Sequence, residues 1–139
     1  MARPYLSRTL RAFVEHRAQR RCEYCLIDQE DSPFRHAVDH IRAVKHMGST
    51  AEENLALACA QCNSAKAADL TGIDPLSDEI VRLFNPREQQ WRDHFALEGA
   101  MIVGLTPVGR ATVSLLRMNT VERVEERQRL QAKGRYPAP

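Results

Sequence analysis

Apolar positions change their spacing several times along this chain, and each change marks a boundary between elements. From Ser7 to Gln19 the residues Leu10, Phe13, Val14 and Arg17 recur at helical spacing, with Arg8, Arg11 and Arg21 left for the outside, which predicts an amphipathic basic helix. Asp28 to Pro33 reads as a polar turn, Phe34 to Ile41 as a β-prone run, and Arg42 to Glu53 as a loop around Gly48. Leu55 to Ala58 is a short apolar strand. A helix starts near Gln61 and ends by Thr71-Gly72; Asn63 and Lys66 are three apart and therefore share one face of it.

Past Leu70 the pattern predicts a short helix over Ser77 to Phe84 with Ile80, Val81 and Phe84 inward, then a turn at "FNPRE". Trp91, Phe95 and Leu97 alternate on one strand, Glu98-Gly99 forms a tight turn, and "MIVGL" is the returning strand. Thr106-Pro107 caps a helix whose apolar face is Val108, Ala111, Leu115 and Met118. Residues 120–133 read as a charged helix and "GRYPAP" as a frayed tail. This mixture predicts an α+β protein. At 139 residues it is most simply one domain, with a basic helix over 1–21, a core over 22–70, and a hairpin with helices over 71–139.

With 43% hydrophobic residues a chain of this length builds only a modest core, and a staple helps it fold. No apolar run approaches the roughly 18 residues of a membrane span, and "MARPYLSRTLRAF" lacks the continuous apolar segment of a signal peptide, so the expected location is cytoplasmic. In a reducing compartment, Cys22 and Cys25 with Cys59 and Cys62 read as two metal-binding Cys-x-x-Cys knuckles rather than disulfides. Four thiolates complete the tetrahedral shell of Zn²⁺ and leave no position open, which makes such a zinc structural. A thioredoxin-like redox pair would need only one such motif. The 33 residues between Cys25 and Cys59 exceed the roughly 15 to 20 of a compact zinc ribbon, so the enclosed segment must itself fold.

Net charge is only +2, but it is unevenly distributed. Residues 1–25 carry six Arg against two Glu, residues 107–139 carry seven basic residues against three Glu, and the middle carries seven basic against thirteen acidic. Basic ends around an acidic centre fit a protein that grips a polyanion at its edges and keeps carboxylates where a cation is wanted. Aromatic content of 6% argues against a base-stacking platform for single strands.

Asp39-His40-Ile41, then Asn54-Leu55, then Cys59-x-x-Cys62-Asn63 with Lys66, framed by the first cysteine pair, closely resembles the HNH endonuclease family in the subgroup stapled by two Cys-x-x-Cys knuckles. The resemblance covers about Cys22 to Leu70 and implies a ββα-metal core. Ala43 stands where the subgroup usually has Pro, and Met47-Gly48 where it usually has Gly-Gly. Asn63 stands where the family name calls for His, a replacement found in many members. "HFALEGAMIVGLTPVGRATVSLLRMN" is similar to an extension on some bacterial HNH proteins, with the expected role of covering the core and lengthening the DNA-binding surface.

What the resemblance implies agrees with the chemistry of the residues. Hydrolysis of a phosphodiester needs a base for water, a cation at the phosphate, and donors that hold the substrate in line. His40 is the expected general base. Asp39 and the side-chain oxygen of Asn63 are hard ligands suited to Mg²⁺ or Mn²⁺. Asn54 is similar to the family's loop clamp, and Lys66, Arg42 and Arg21 are expected phosphate contacts. His16, His36, His46 and His94 read as structural or solvent-facing. Neighbours on a regular strand point to opposite faces, so Asp39 and His40 require an irregular strand end to meet one phosphate. The implied activity is single-metal hydrolysis of double-stranded DNA to 5′-phosphate and 3′-hydroxyl ends; the rival is a non-catalytic zinc-binding nucleic-acid module on the same scaffold.

Overall fold

A computed structural model describes residues 6–137; Arg3 of the basic N-terminal segment and the last two tail residues, Ala138 and Pro139, lie outside it. The structure is α+β. The central unit is an antiparallel pair, β1 (Ala37–His40) and β2 (Leu55–Ala58), in the register Ala37 with Ala58 through His40 with Leu55. Helix α1 (Arg8–Arg17) packs on one face of this pair and α2 (Ala60–Lys66) on the other. Every residue of β2 is therefore buried, which is why "LALA" shows no polar alternation.

The two faces of β2 belong to different cores. Leu55 and Leu57 join Val14 of α1 in a small cluster, against which Leu6, Leu10 and Val38 pack. Ala56 and Ala58 face a larger cluster containing all four cysteines, Tyr24, Phe84, Phe95, Ile102, Leu116, Met118, Leu130 and Tyr136. Helix α1 is capped by Ser7, whose hydroxyl accepts from the Leu10 N–H at 3.0 Å. Its arginines turn inward more than expected. Arg17 donates to the Glu52 and Leu55 carbonyls at 2.9 and 2.6 Å, and Arg11 to the His36 carbonyl, while Phe13 is 40% exposed.

The extension departs from the sequence reading in three places. Where a helix was expected over Ser77 to Phe84, a hairpin forms from β3 (Thr71–Ile73) and β4 (Ile80–Arg82), with Ile73 opposite Ile80. A contact distant in sequence decides this. Asp74 accepts the Leu76 N–H at 3.0 Å and the Ser77 hydroxyl at 2.8 Å, and Arg110 holds both its oxygens at 2.9 Å. That carboxylate organises the connecting turn and leaves Leu83 and Phe84, not Ile80, facing inward. Trp91 lies in the single turn α3 (Trp91–His94) rather than on a strand, and donates its indole N–H to the Tyr24 carbonyl at 2.8 Å. The tail is not frayed at Tyr136, which is 5% exposed and donates its hydroxyl to the Cys25 carbonyl at 2.7 Å.

The remaining elements follow their signals. The strands β5 (Phe95–Glu98) and β6 (Met101–Gly104) pair through a turn at Gly99, whose φ of 59° suits glycine. Helix α4 (Pro107–Leu115) starts at Thr106, whose hydroxyl accepts the Gly109 N–H at 3.0 Å, with Pro107 in the first turn. It lies so close to its neighbours that a Cβ on Gly109 would meet the His94 carbonyl oxygen at 2.0 Å. Helix α5 (Val121–Ala132) closes the larger core with Leu130. Among the described residues no helix is long and apolar enough to cross a membrane.

Candidate metal centre and active site

The two knuckles use the same local device. In each, the first cysteine sulfur accepts the backbone N–H of the second at 3.4 Å, Cys25 to Cys22 and Cys62 to Cys59, and Cys59 also caps α2. β2 carries Cys59 to the first knuckle, and the Glu23 N–H meets the Leu57 carbonyl at 2.8 Å, which docks that knuckle on the strand. All four sulfurs lie within 4.8 Å of one another, are buried, and are free thiols. Cys25 and Cys59 sulfurs are 3.7 Å apart, whereas a tetrahedral shell with Zn–S bonds of about 2.3 Å separates its sulfurs by about 3.8 Å. A disulfide would hold them at about 2.05 Å. The donor set and its spacing fit a structural zinc.

Sequence reasoning missed the fifth participant. Arg123 of α5, 6% exposed, donates to the Cys62 sulfur at 3.0 Å and lies 3.9 Å from that of Cys59, while also donating to the Leu116 and Arg117 carbonyls at 2.8 and 3.1 Å. Burial works against its charge, but the cysteines around it, Cys62 and Cys25 foremost, more than reverse that and hold the guanidinium firmly protonated. Burial pushes the Cys22 thiol up, whereas hydrogen bonds from the other three cysteines hold that of Cys25 well down. The sequence signal was one of three Arg in a charged helix, with nothing to mark it from the exposed Arg129.

Around β1 the structure separates the expected catalytic residues by face. Pairing is regular through His40, and the strand stops directly after it, with the Ile41 N–H donating to the Asn54 carbonyl at 2.8 Å. Asp39 projects to the α2 side and is 4% exposed; His40, on the other side, is half-buried. The His40 Nε2 lies 3.0 Å from the Thr50 hydroxyl, and Nδ1 has no partner among the described residues. Thr50 was not singled out from sequence, because nothing in a Gly-Ser-Thr loop run marks which hydroxyl will reach a ring ten residues earlier.

Asn54 spans the loop. Its oxygen accepts the Arg42 N–H at 2.9 Å, and its amide donates to the Arg42 and Ser49 carbonyls at 2.9 and 2.7 Å. Between these points the chain turns through Met47, at φ 65°, and Gly48, where a Cβ would lie 1.6 Å from the Arg42 carbonyl oxygen. Glycine is required at 48 by contact. Met47 takes a left-handed conformation that glycine would adopt without the Cβ clash.

Asp39 and Lys66 form a buried ion pair. Lys66, expected at the surface for a phosphate, is 2% exposed, and its ammonium lies 3.3 and 3.2 Å from the two Asp39 oxygens. Tyr24 donates to the same carboxylate at 2.8 Å. The reason for the correction is geometric: α2 lies against β1, and its inward face at Lys66 meets the only carboxylate that β1 buries. Burial raises the Asp39 pKa, against the lowering pull of Lys66 and Tyr24. Asn63, one turn earlier on α2, is half-buried, and its amide makes no hydrogen bond within the described residues. Arg42 is exposed, with its Nε on the His46 carbonyl at 2.6 Å, and Arg21 is half-buried with Gln19 at 3.2 Å. His36 and His94 are structural, holding the Ile27 carbonyl and the Thr106 hydroxyl at 3.0 and 2.7 Å. An open groove lined by Gln61, Ser64, Thr71, Ile80 and Leu115 contains none of the expected catalytic residues.

Two knuckles close on four sulfurs around a ββα unit, with an acid-histidine pair at the strand end. Residues 22–69 match the family model of the HNH endonucleases. Compared with curated proteins and with solved structures, the chain gives no match. The HNH segment thus ends just before β3, and the elements that cover its cysteine cluster lie outside it.

Proposed function

We propose that the protein is a metal-dependent HNH endonuclease that hydrolyses phosphodiester bonds of double-stranded DNA. The observation that carries this reading is the state of the His40 ring, which is held through Nε2 by Thr50 and leaves Nδ1 without a partner at the end of β1. With Thr50 accepting from Nε2–H, the lone pair at Nδ1 takes the proton of an attacking water. Asn54 keeps the following loop in place by bonding backbone on both sides of it, so the ring and loop arrive at the substrate already ordered. Arg42 and Arg21 are assigned to DNA phosphates, and the ends left are a 5′-phosphate and a 3′-hydroxyl.

Asp39 and Asn63 are the residues that would hold Mg²⁺ or Mn²⁺. When bound, such an ion supplies positive charge at the phosphate and the leaving oxygen. The fit is supported by what Asp39 already holds, a positive ammonium at both oxygens, and by the unpartnered amide of Asn63 on the adjoining turn.

The same ion pair favours a second reading, a nucleic-acid-binding module that does not cut, in which Asp39 and Lys66 are permanently paired. A plasmid-cleavage assay with and without Mg²⁺ or Mn²⁺ separates the two. Under the nuclease reading, His40→Ala lowers turnover by roughly 10²- to 10⁴-fold with zinc content and DNA affinity unchanged. Equal cleavage by parent and His40→Ala, with contaminating nuclease excluded, leaves the binding module.

A further inference from the structure

The ammonium of Lys66 is enclosed by oxygen on several sides. Besides the two carboxylate oxygens of Asp39, it lies 3.3 Å from the His40 carbonyl oxygen and 3.2 Å from that of Ile41. One carboxylate and two backbone carbonyls are the kind of donors that hold hard cations, and none of the four contacts comes from a soft or aromatic atom. Tyr24 fixes the carboxylate from behind through its hydroxyl at 2.8 Å. The chain next to Lys66 is under strain: Ala67 takes φ 47° and ψ −128°, a region that residues with a Cβ avoid.

A buried ion pair kept for stability alone is a weak explanation, since apolar side chains of similar volume serve as well or better. Lys66 also shares its helix face with Asn63, whose amide has no hydrogen-bond partner among the described residues.

We propose that the Lys66 ammonium is a resident stand-in for the divalent ion: it occupies the cage formed by Asp39, His40 and Ile41 in the metal-free protein and leaves it when Mg²⁺ or Mn²⁺ binds. This rests on the reading that Asp39 and Asn63 hold that ion. Asp39 is then never buried without a positive partner, and the backbone at the end of β1 keeps its shape in both states. Divalent affinity is correspondingly limited by the need to displace Lys66, and the protein is selective for cations strong enough to do so.

The test uses the full zinc-loaded chain. Acetylation of amines, read at each lysine by mass spectrometry, is compared without added divalent ion and with Mg²⁺ at a concentration that saturates the protein, as judged by competition with Mn²⁺ in electron paramagnetic resonance. Lys45 and Lys133, both exposed, report that the reagent is active. Lys66 is expected to be protected without Mg²⁺ and to react at least about tenfold faster with it. In parallel, Mn²⁺ titration of Lys66→Met is expected to give a Kd at least about tenfold lower than the parent, because a competing positive charge has been removed from the cage. Asp39→Asn is expected to expose Lys66 without any ion. Bound Mn²⁺ with Lys66 still protected overturns the exchange while leaving the nuclease reading intact. Absence of Mn²⁺ binding in the parent overturns the exchange, and absence in Lys66→Met as well overturns the assignment of Asp39 and Asn63 to that ion. If Lys66→Met does not fold, the acetylation of the parent decides alone.

Discussion

The HNH segment and the extension that follows it place their arginines differently: Arg35 and Arg42 of the first are exposed, although its Asp39 and Lys66 form a buried pair. In residues 22–69, Arg42 and Lys45 stay exposed, and His40 and Asn63 keep polar atoms without a partner among the described residues. In residues 71–137 the charges that matter are turned inward. Arg123 meets the cysteine sulfurs, Arg127 donates to the Ala100 carbonyl at 2.7 Å and to Asn119 at 2.9 Å, and Arg110 clamps Asp74. The net positive charge of 107–139, read from sequence as an edge for gripping a polyanion, is thus partly consumed in holding the extension together and, through Arg123, onto the cysteine cluster. A basic segment is a nucleic-acid surface only where its guanidinium groups remain free, and burial is what decides that.

The comparison breaks most completely at the metal. Removing one zinc ligand with Cys59→Ser, or stripping the ion with a strong chelator, is expected to unfold both regions together, because zinc-coupled free energies of about 10–16 kcal/mol match or exceed the whole stability of a small domain. Elemental analysis alongside circular dichroism checks this. Survival of the extension's helices after zinc loss would show that the two regions fold separately.

The next effect isolates the join between them. Arg123→Met leaves the buried thiolates without their guanidinium, and a loss of about 3 kcal/mol is expected, with weaker zinc retention against a chelator. An unchanged melting curve would mean that the contact is incidental. Within the HNH segment, Asn54→Ala removes three hydrogen bonds to the loop backbone, which predicts a loss of about 1–3 kcal/mol and a larger proportional drop in cleavage than in stability. Cleavage and stability falling in step would reduce Asn54 to a simple cap.

Acid should act on the extension through Asp74. Arg110, aided by the Leu76 N–H and Ser77 hydroxyl, holds its carboxyl well below the usual range. Its stabilisation is therefore present above the unfolded carboxyl pKa of about 3.9 and is lost as pH falls through the lower folded value. Asp74→Asn should lower stability at neutral pH and flatten the acid limb of a pH-stability curve; an unchanged acid limb would remove Asp74 from the account. The smallest effects test the tail and the loop. Tyr136→Phe should cost about 1 kcal/mol through the lost bond to the Cys25 carbonyl. Met47→Gly should raise stability by up to about 1 kcal/mol, since it relieves a left-handed residue beside a glycine that contact already requires.

The two zinc knuckles, the strand β2 and the helix after it were legible in the sequence because their signals are local. A Cys-x-x-Cys pair, a four-residue apolar run and a cap each act within a few residues, and the same holds for Thr106-Pro107 and Gly99. The Asn54 clamp was legible only through the family resemblance, which carried over a contact across twelve residues. Other features depended on partners far along the chain. Asp74 needed Arg110, 36 residues away, to make a hairpin of a segment whose apolar spacing suited a helix. Tyr136 needed the Cys25 carbonyl, 111 residues away, to turn an apparent tail into core. Lys66 has the composition of any exposed helix residue, and only the packing of α2 against β1 placed its ammonium on Asp39. The sequence alone therefore determined the metal-binding elements, because short-range geometry and residue type suffice for them. Which charges are buried, and what they hold there, was decided by tertiary packing, since desolvation depends on every neighbour at once and leaves no periodic trace in the chain.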